Sequence, residues 1–249
     1  MSNFRRTGGF MQMTPLVKNL IIINVAIFLV DYLIFPQLNS YLAVYYPSNP
    51  DFKPYQLVTH MFAHAGFAHI FFNMFALWNF GCIVEQMLGI KRFFLLYFIS
   101  GFGAIAAHLL INGLMIYHHI GTFNLQPDAF INTEGLKLLS TNPDANWLPY
   151  VSNVFLQNQY ISVMLGASGA INGIVAAFAY LFPNTELILL FFPVPIKAKY
   201  AIPGILILYD LGYGSFANTG VAHYAHIGGA ITGFLLVYFW NKTNKTTFY

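Results

Sequence analysis

Charged side chains are scarce in this 249-residue chain: Asp, Glu, Lys and Arg supply 8% of its residues, whereas 57% are hydrophobic. Soluble domains carry about 25% charged residues. With so few charges, a protein of this size could not present a hydrated surface, so lipid must cover much of it. The composition excludes a water-soluble domain. It predicts a polytopic membrane protein, because each span needs ~20 mostly apolar residues.

Other absences narrow the possible functions. The single cysteine, Cys82, excludes an intrachain disulfide. The segment that contains Arg5 and Arg6 has no small-residue cleavage site, so it predicts no removable signal peptide. The basic residues are scattered and form no patch that would bind nucleic acid. No HExxH motif occurs, and the sequence predicts neither a metal ion nor another cofactor.

Six apolar stretches predict six membrane-spanning helices, since a chain in lipid must satisfy its backbone hydrogen bonds internally. They lie at about 16–35, 61–82, 93–116, 164–182, 199–211 and 221–240. We therefore predict an all-α polytopic membrane protein that forms one domain over residues 1–249. The fourth and fifth stretches are the weakest, because they are short and prolines interrupt them.

The basic residues indicate how this bundle is oriented. If both termini are cytoplasmic, nine of the eleven Lys and Arg residues fall on the cytoplasmic side of the membrane. Basic residues concentrate on that side in membrane proteins. That topology makes 1–15 and 241–249 cytoplasmic, and it makes 36–59 and 117–160 external loops. The first external loop is rich in Tyr, Phe and Pro. Aromatic residues favour the lipid–water interface, so we predict that this loop is embedded in the membrane.

A serine lies in the fourth apolar stretch, within Gly166-Ala167-Ser168-Gly169. Small residues let membrane helices approach closely, so helix packing alone would explain this motif. The alternative is a nucleophile. Ser168 falls where the fourth helix is predicted to begin, so its own N–H has no intrahelical partner and could help to hold an oxyanion.

A histidine, His226, lies in the last apolar stretch, and Gly229 and Gly233 follow it on one helix face. An ionisable group at membrane depth is costly and therefore indicates function. His226 is either a general base that takes the Ser168 proton in nucleophilic acyl transfer, or a buried neutral histidine that bonds a carbonyl. His223, three residues earlier, is the competing base.

The second apolar stretch opens with four polar residues, His60, His64, His69 and Asn73. On a helix, His60 and His64 share a face, and so do His69 and Asn73. His69 and Asn73 would then direct two hydrogen-bond donors at one point, as an oxyanion hole requires. His60 and His64 could instead ligate zinc or make structural hydrogen bonds, although no Asp or Glu lies among these histidines.

These three motifs resemble those of the rhomboid family of intramembrane serine proteases, in their order and approximate spacing. The family pattern is HxxxHxxxxHxxxN on the second helix, GxSG at the start of the fourth and AHxxGxxxG on the sixth. The resemblance implies a six-helix core of the bacterial type. It also implies that Ser168 is the nucleophile and His226 its base, and that His69 and Asn73 form the oxyanion hole with the Ser168 N–H.

The resemblance further implies supporting roles for several residues around these four. The supporting residues are His60, His64, Gly166, Gly169, Gly229, Gly233 and Glu85, the last of which the family uses structurally. The implied activity is cleavage of peptide bonds in or next to transmembrane helices of membrane-protein substrates. The implied location is a bacterial inner membrane, with the lipid bilayer and transmembrane substrates as partners and with both termini cytoplasmic.

Two positions depart from the family pattern. The first external loop carries Tyr55-Gln56 where rhomboids often have Trp-Arg, so its anchoring differs. Asn172 stands where many members place an aromatic residue against the catalytic histidine. Neither departure removes a catalytic group. Asp210 is a weak candidate for a third catalytic residue, an acid that would orient His226. We therefore predict a Ser-His dyad without an acid.

Two other functions fit a polytopic helical protein. The first is a catalytically inactive rhomboid-like protein that binds or chaperones transmembrane segments; the loss of Ser168 or His226 would indicate it, and both are present. The second is a metal or proton transporter. A transporter predicts intramembrane carboxylates and often inverted repeats. Asp31 is the single acid within an apolar run, and no internal repeat is visible.

Overall fold

Helices form most of the protein in the computed structural model, which describes residues 12–142, 151–161, 163–189, 192–208 and 223–243. The α-helices are α1 (Pro15–Leu33), α2 (Leu38–Leu42), α3 (Gln56–Thr59), α4 (Phe67–Ala76), α5 (Cys82–Leu88), α6 (Ile90–Ile120), α7 (Thr133–Thr141), α8 (Val154–Ile161), α9 (Ser168–Leu181), α10 (Ala198–Ile205) and α11 (His223–Thr243). A π-helical segment, Leu77–Gly81, joins α4 to α5. The predicted helical membrane bundle is confirmed.

Among the described residues, three helical stretches are long and apolar enough to cross a membrane: Pro15–Leu33, Phe67–Leu88 and Ile90–Ile120. Two shorter stretches among the described residues are also apolar, Ser168–Leu181 and Ala198–Leu208. Each of the five overlaps one of the first five predicted spans, although the second begins and ends six residues later than predicted. The count of six spans stays a prediction. Asp210 lies outside the described residues.

The start of α1 is fixed by a carboxylate from another helix. Thr14 is the residue before the helix and Pro15 takes its first position, where a missing N–H costs nothing. The buried Glu85 of α5 accepts hydrogen bonds from the Thr14 hydroxyl and from the N–H groups of Leu16 and Val17. Glu85 therefore satisfies the free donors of this helix end and ties α1 to α5.

Glycines bring α6, α9 and α11 into backbone contact. A methyl group on Gly229 of α11 would overlap the backbone of Gly169 in α9, and one on Gly233 would overlap the carbonyl of Gly173. On the side facing α6, a methyl group on Gly169 would overlap Ala104. Small residues at such interfaces let membrane helices approach until their backbones touch. These three helices form the most closely packed part of the described bundle.

The second predicted span is interrupted near its start, and the prediction that His60 and His64 share a helix face is wrong. His60–Phe62 is a 3₁₀ turn, Ala63 is extended, and α4 begins only at Phe67. The cause is the His60 carbonyl, which accepts the N–H groups of Ala63 and, from across the bundle, Gly166. That carbonyl is therefore not available to His64 for a helical hydrogen bond.

The described part of residues 117–160, the second predicted external loop, is folded against residues 36–59, the first predicted external loop. A small hydrophobic cluster joins the two, and its buried members are Tyr46, Ile116, Leu125, Phe130, Ile131 and Leu156. The Tyr46 hydroxyl donates to the Phe123 carbonyl over 3.1 Å, and the Asn49 amide donates to the Tyr160 carbonyl over 2.8 Å. The helix α6 runs to Ile120, past the predicted end of its span at residue 116.

A two-stranded antiparallel hairpin connects α9 to α10, and the sequence analysis did not predict it. Its strands are β1 (Glu186–Leu189) and β2 (Phe192–Lys197). Pro193 and Pro195 lie in β2 and have no N–H to donate. The missing N–H groups disfavour a helix there. They are tolerated in a strand that, within the described part of the chain, pairs with β1 alone.

We expect Gly233→Ala to lower the free energy of unfolding by about 1–3 kcal/mol, because the added methyl group must push α9 and α11 apart. Denaturant titration in detergent micelles, followed by circular dichroism, measures the change. Gly204→Ala is the matched control, since Gly204 also lies in a helix but has no atom within 4 Å of the new methyl group. Equal unfolding midpoints for the two variants would contradict the packing described here.

Candidate functional site

Ser168 and His226 come from different helices and meet between them. Ser168 is the first residue of α9, and His226 lies one turn into α11. The Ser168 Oγ is 2.9 Å from the His226 Nε2, within hydrogen-bond distance. Both side chains are partly buried. The position at the helix start leaves the Ser168 N–H without an intrahelical acceptor, as the sequence predicted.

Two further polar residues near this pair, His223 and Asn172, make different contacts. His223 is buried and its ring lies 6.3 Å from that of His226, centre to centre, in a perpendicular arrangement. Of these two histidines, His226 is the one that the structure places against the serine hydroxyl. Asn172 donates its side-chain amide to the Ser168 carbonyl over 3.0 Å, one turn earlier in the same helix.

Gly166 brings the segment before α9 against α4. Its φ of +119° is one that side-chain-bearing residues rarely adopt. A methyl group there would lie 2.7 Å from the Cε1 and Nε2 atoms of His69. The Gly166 N–H donates to the His60 carbonyl over 2.8 Å. The glycine therefore permits both the turn that leads into Ser168 and the close approach of the His69 ring.

His69 and Asn73 lie one turn apart on α4, as predicted from their spacing. The His69 ring is half-buried beside Gly166, and its Nδ1 accepts the Ala65 N–H over 3.4 Å. Asn73 is buried, and its Nδ2 has no hydrogen-bond partner within the described residues. The structure thus places one imidazole edge near Ser168 and keeps one amide donor unused in the bundle.

His60 and His64 support this arrangement in different ways. His64 is buried, and its ring packs edge-on against that of His69 with a centre distance of 5.0 Å. His60 lies outside the membrane-spanning helix and donates its Nδ1–H to the Gln56 carbonyl over 2.9 Å. Burial lowers the pKa of His60 to about 4, against the opposing effect of its backbone hydrogen bonds, so this histidine is neutral at pH 7. Among the described residues, no three His, Cys, Asp or Glu side chains are grouped as metal ligands.

Gln56 anchors the first external loop. In the sequence this residue is notable only as part of the Tyr55-Gln56 departure from Trp-Arg. Its side chain is 1% exposed. Its Nε2 donates to the carbonyls of Asp51 and Tyr41, and its Oε1 accepts the Lys53 N–H over 2.9 Å. The neighbouring Tyr55 is exposed. A buried amide in this loop therefore makes several of the hydrogen bonds that fix the loop's conformation.

A backbone link that the sequence did not predict joins the first external loop to the segment before Ser168. Val44 and Met164 form an isolated antiparallel bridge with two hydrogen bonds of 2.9 Å. Met164 precedes Ser168 by only four residues. No side-chain pattern signals a single bridge of this kind, because its hydrogen bonds are made by the main chain.

Comparison with known proteins supports the motif-based interpretation. The family model described as "Rhomboid domain" matches residues 51–122 and 147–242. "Rhomboid protein 1, mitochondrial" of Saccharomyces cerevisiae is 30% identical over 233 residues, which cover 91% of this chain and 54% of that protein. "Rhomboid protease AarA" of Providencia stuartii is 28% identical over 186 residues, covering 71% of this chain and 52% of that protein.

A third relative shows the same likeness over a smaller share of its length. "Rhomboid protease GluP" of Bacillus subtilis is 29% identical over 182 residues, covering 72% of this chain and 25% of that protein. The chain thus spans about half or less of the length of these relatives. One of them is named as mitochondrial and two come from bacteria, so they do not support a bacterial inner membrane over other membranes.

We expect Gly166→Ala to destabilise the protein more than Gly121→Ala does. Both glycines have positive φ, so both substitutions strain the backbone by about 1 kcal/mol or more. At Gly121 the new methyl group meets nothing within 4 Å, whereas at Gly166 it overlaps the His69 ring. Unfolding titrations of both variants in the same detergent measure the difference. Equal losses would contradict the contact between Gly166 and His69.

Proposed function

The chain belongs to the rhomboid family, and on that premise we propose that it is an intramembrane serine endopeptidase with a Ser168–His226 dyad. The observation that carries the proposal is the 2.9 Å distance from the Ser168 Oγ to the His226 Nε2, between two helices far apart in sequence. A serine hydroxyl is a weak nucleophile until an adjacent base can take its proton. In this proposal the His226 Nε2 is that base.

The first half of the proposed reaction forms an acyl-enzyme. The Ser168 Oγ attacks the carbonyl carbon of the scissile peptide bond while His226 accepts the hydroxyl proton. The tetrahedral intermediate collapses, the C–N bond breaks, and the imidazolium donates that proton to the leaving amine. The amine product carries the new N-terminus of the substrate.

The second half releases the other product. Water attacks the ester on Ser168, His226 accepts a proton from this water, and the C–O bond to the serine breaks. The proton returns to the Ser168 oxygen, so the dyad is regenerated without a net change in protonation. The proposal assigns no carboxylate to orient His226. The backbone contacts of Gly229 and Gly233 with α9 support the ring's helix instead.

Three donors are proposed for the negative oxygen of the tetrahedral intermediate: the Ser168 N–H, the His69 Nε2–H and the Asn73 amide. The contact of the His69 ring with Gly166 supports its assignment, and the unused Nδ2 of the buried Asn73 supports the other. Donors fixed in a site that excludes water stabilise charge that develops in the transition state, and they need no reorganisation during the reaction.

The proposed substrates are membrane proteins that are cut in or next to a transmembrane helix. The support is the location of the dyad among apolar helices, because a soluble substrate would not reach serine and histidine at membrane depth. Proteins named as rhomboid proteases occur among the relatives. The bilayer is thus the second partner of the enzyme, and a bacterial inner membrane stays one proposal for its location.

The direct test of the dyad compares the wild type with Ser168→Ala and His226→Ala in liposomes that contain a generic single-span substrate. We expect cleavage by the wild type and none by either variant, scored on a gel. His223→Gln is the control and should keep activity, because the histidine within hydrogen-bond distance of the serine hydroxyl is His226. Equal cleavage by wild type and Ser168→Ala would disprove the dyad.

The oxyanion donors have a weaker expected effect than the dyad. His69→Ala and Asn73→Ala should each lower kcat by about 10²- to 10³-fold, the usual cost of losing one such donor, with a smaller change in KM. Initial rates in mixed micelles at several substrate concentrations separate kcat from KM. A variant that raises KM alone would show that the residue binds substrate in its ground state instead.

A further inference from the structure

Asp31, the single acid within an apolar run of the sequence, has a specific partner. It lies near the external end of α1, and Asn39 of α2 donates to both of its carboxylate oxygens. The Asn39 N–H reaches Oδ1 over 2.9 Å, and the Asn39 Nδ2 reaches Oδ2 over 2.8 Å. A carboxylate that accepts two hydrogen bonds from one residue fixes both the position and the rotamer of that residue.

Asn39 uses its remaining amide hydrogen on the segment that precedes α4. Its Nδ2 also donates to the His64 carbonyl, over 2.9 Å. An amide nitrogen carries two hydrogens, so the bonds to Asp31 and His64 use its full donor capacity. The side chain of Asn39 therefore connects α1, the first external loop and the extended segment between the 3₁₀ turn and α4.

The peptide group that Asn39 holds also contacts His69. The C=O of His64 and the N–H of Ala65 belong to one peptide unit. Its oxygen accepts from Asn39, and its N–H donates to the His69 Nδ1 over 3.4 Å. A hydrogen bond accepted by a peptide oxygen polarises the unit and strengthens donation by its N–H. The bonds thus run in series from Asp31 to the imidazole.

An imidazole whose Nδ1 accepts a hydrogen bond must carry its proton on Nε2 when it is neutral. The Nε2 edge of His69 is the edge that faces the serine segment, since a methyl group on Gly166 would lie 2.7 Å from Nε2. The Nε2–H tautomer is a donor on that edge, whereas the Nδ1–H tautomer would present a lone pair. An oxyanion repels a lone pair and needs the donor.

We propose that Asp31 and Asn39 are positioning residues which hold the His64–Ala65 peptide so that His69 keeps its proton on Nε2, directed at the oxyanion. This inference rests on the proposed function, because it gives His69 the donor role. Neither Asp31 nor Asn39 contacts the reacting atoms. They act through one peptide group and one imidazole.

Asn39→Leu tests the proposal, because leucine keeps the approximate size of the side chain and removes the amide. The first readout is the ¹⁵N NMR spectrum of protein labelled at its eight histidines, with the His69 signals assigned from His69→Gln. In the wild type the His69 Nδ1 should resonate as an unprotonated nitrogen. In Asn39→Leu that signal should move toward the value for exchange between the two tautomers. The spectra need no substrate.

The second readout is kinetic. Asn39→Leu should lower kcat about tenfold, equivalent to 1.4 kcal/mol in the transition state, and should leave KM near its wild-type value. Asp31→Ala, which leaves the Asn39 amide in place but unanchored, should shift both readouts in the same direction by less. Ser40→Ala is the matched control on the same helix, since the Ser40 hydroxyl bonds only the local Gln37 carbonyl among the described residues.

An unchanged His69 Nδ1 signal in Asn39→Leu would overturn the proposal, whatever happens to the rate. If Asn39→Leu does not fold, the same test applies to Asp31→Ala. A rise in KM with constant kcat would also overturn it, because the pair would then serve substrate binding. Failure of the proposed protease function has a different signature: the wild type would not cleave, while the tautomer shift would still be observed.

Discussion

The arrangement of the site depends on the backbone contact between α9 and α11. Glycines at 169, 173, 229 and 233 let the backbones of these helices approach closely, so that Gly229 lies against Gly169 and Gly233 lies against Gly173. Ser168 and His226 are brought to 2.9 Å by this contact and not by their own hydrogen bond, which is worth only about 1 kcal/mol. Larger residues at the glycine positions would separate the two groups.

A second constraint comes from the loop that connects α1 to α4, the first predicted external loop. The first external loop is pinned by Gln56, by the bridge from Val44 to Met164, and by the bond from Asn39 to the His64 carbonyl. Two of these links end within a few residues of Ser168 or His69. The second predicted external loop packs on the same loop through Tyr46. Order in these connections is thus coupled to the geometry of the site.

Much of the fold and the site could be predicted from the sequence, because apolar length and small-residue spacing report on helices and their close contacts. The GxSG motif marked the start of α9, and the spacing of His69 and Asn73 matched one face of α4. The failures have separate causes. The break after His60 involves a main-chain hydrogen bond from the distant Gly166, for which no side chain carries a signal. The hairpin before α10 depends on main-chain pairing between two neighbouring strands, and the anchoring of the loop depends on the burial of the Gln56 amide, which only the folded structure reveals.

The proposed activity requires that His226 make Ser168 nucleophilic within the membrane. Mass-spectrometric mapping of the residue that a fluorophosphonate modifies in detergent-solubilised protein examines this without knowledge of the substrate. A Ser168–His226 dyad should give a single phosphonylated peptide that contains Ser168, and the modification should be lost when His226 is replaced by Ala. Modification that persists at Ser168 without His226, or that occurs at another serine, would show that this dyad does not operate.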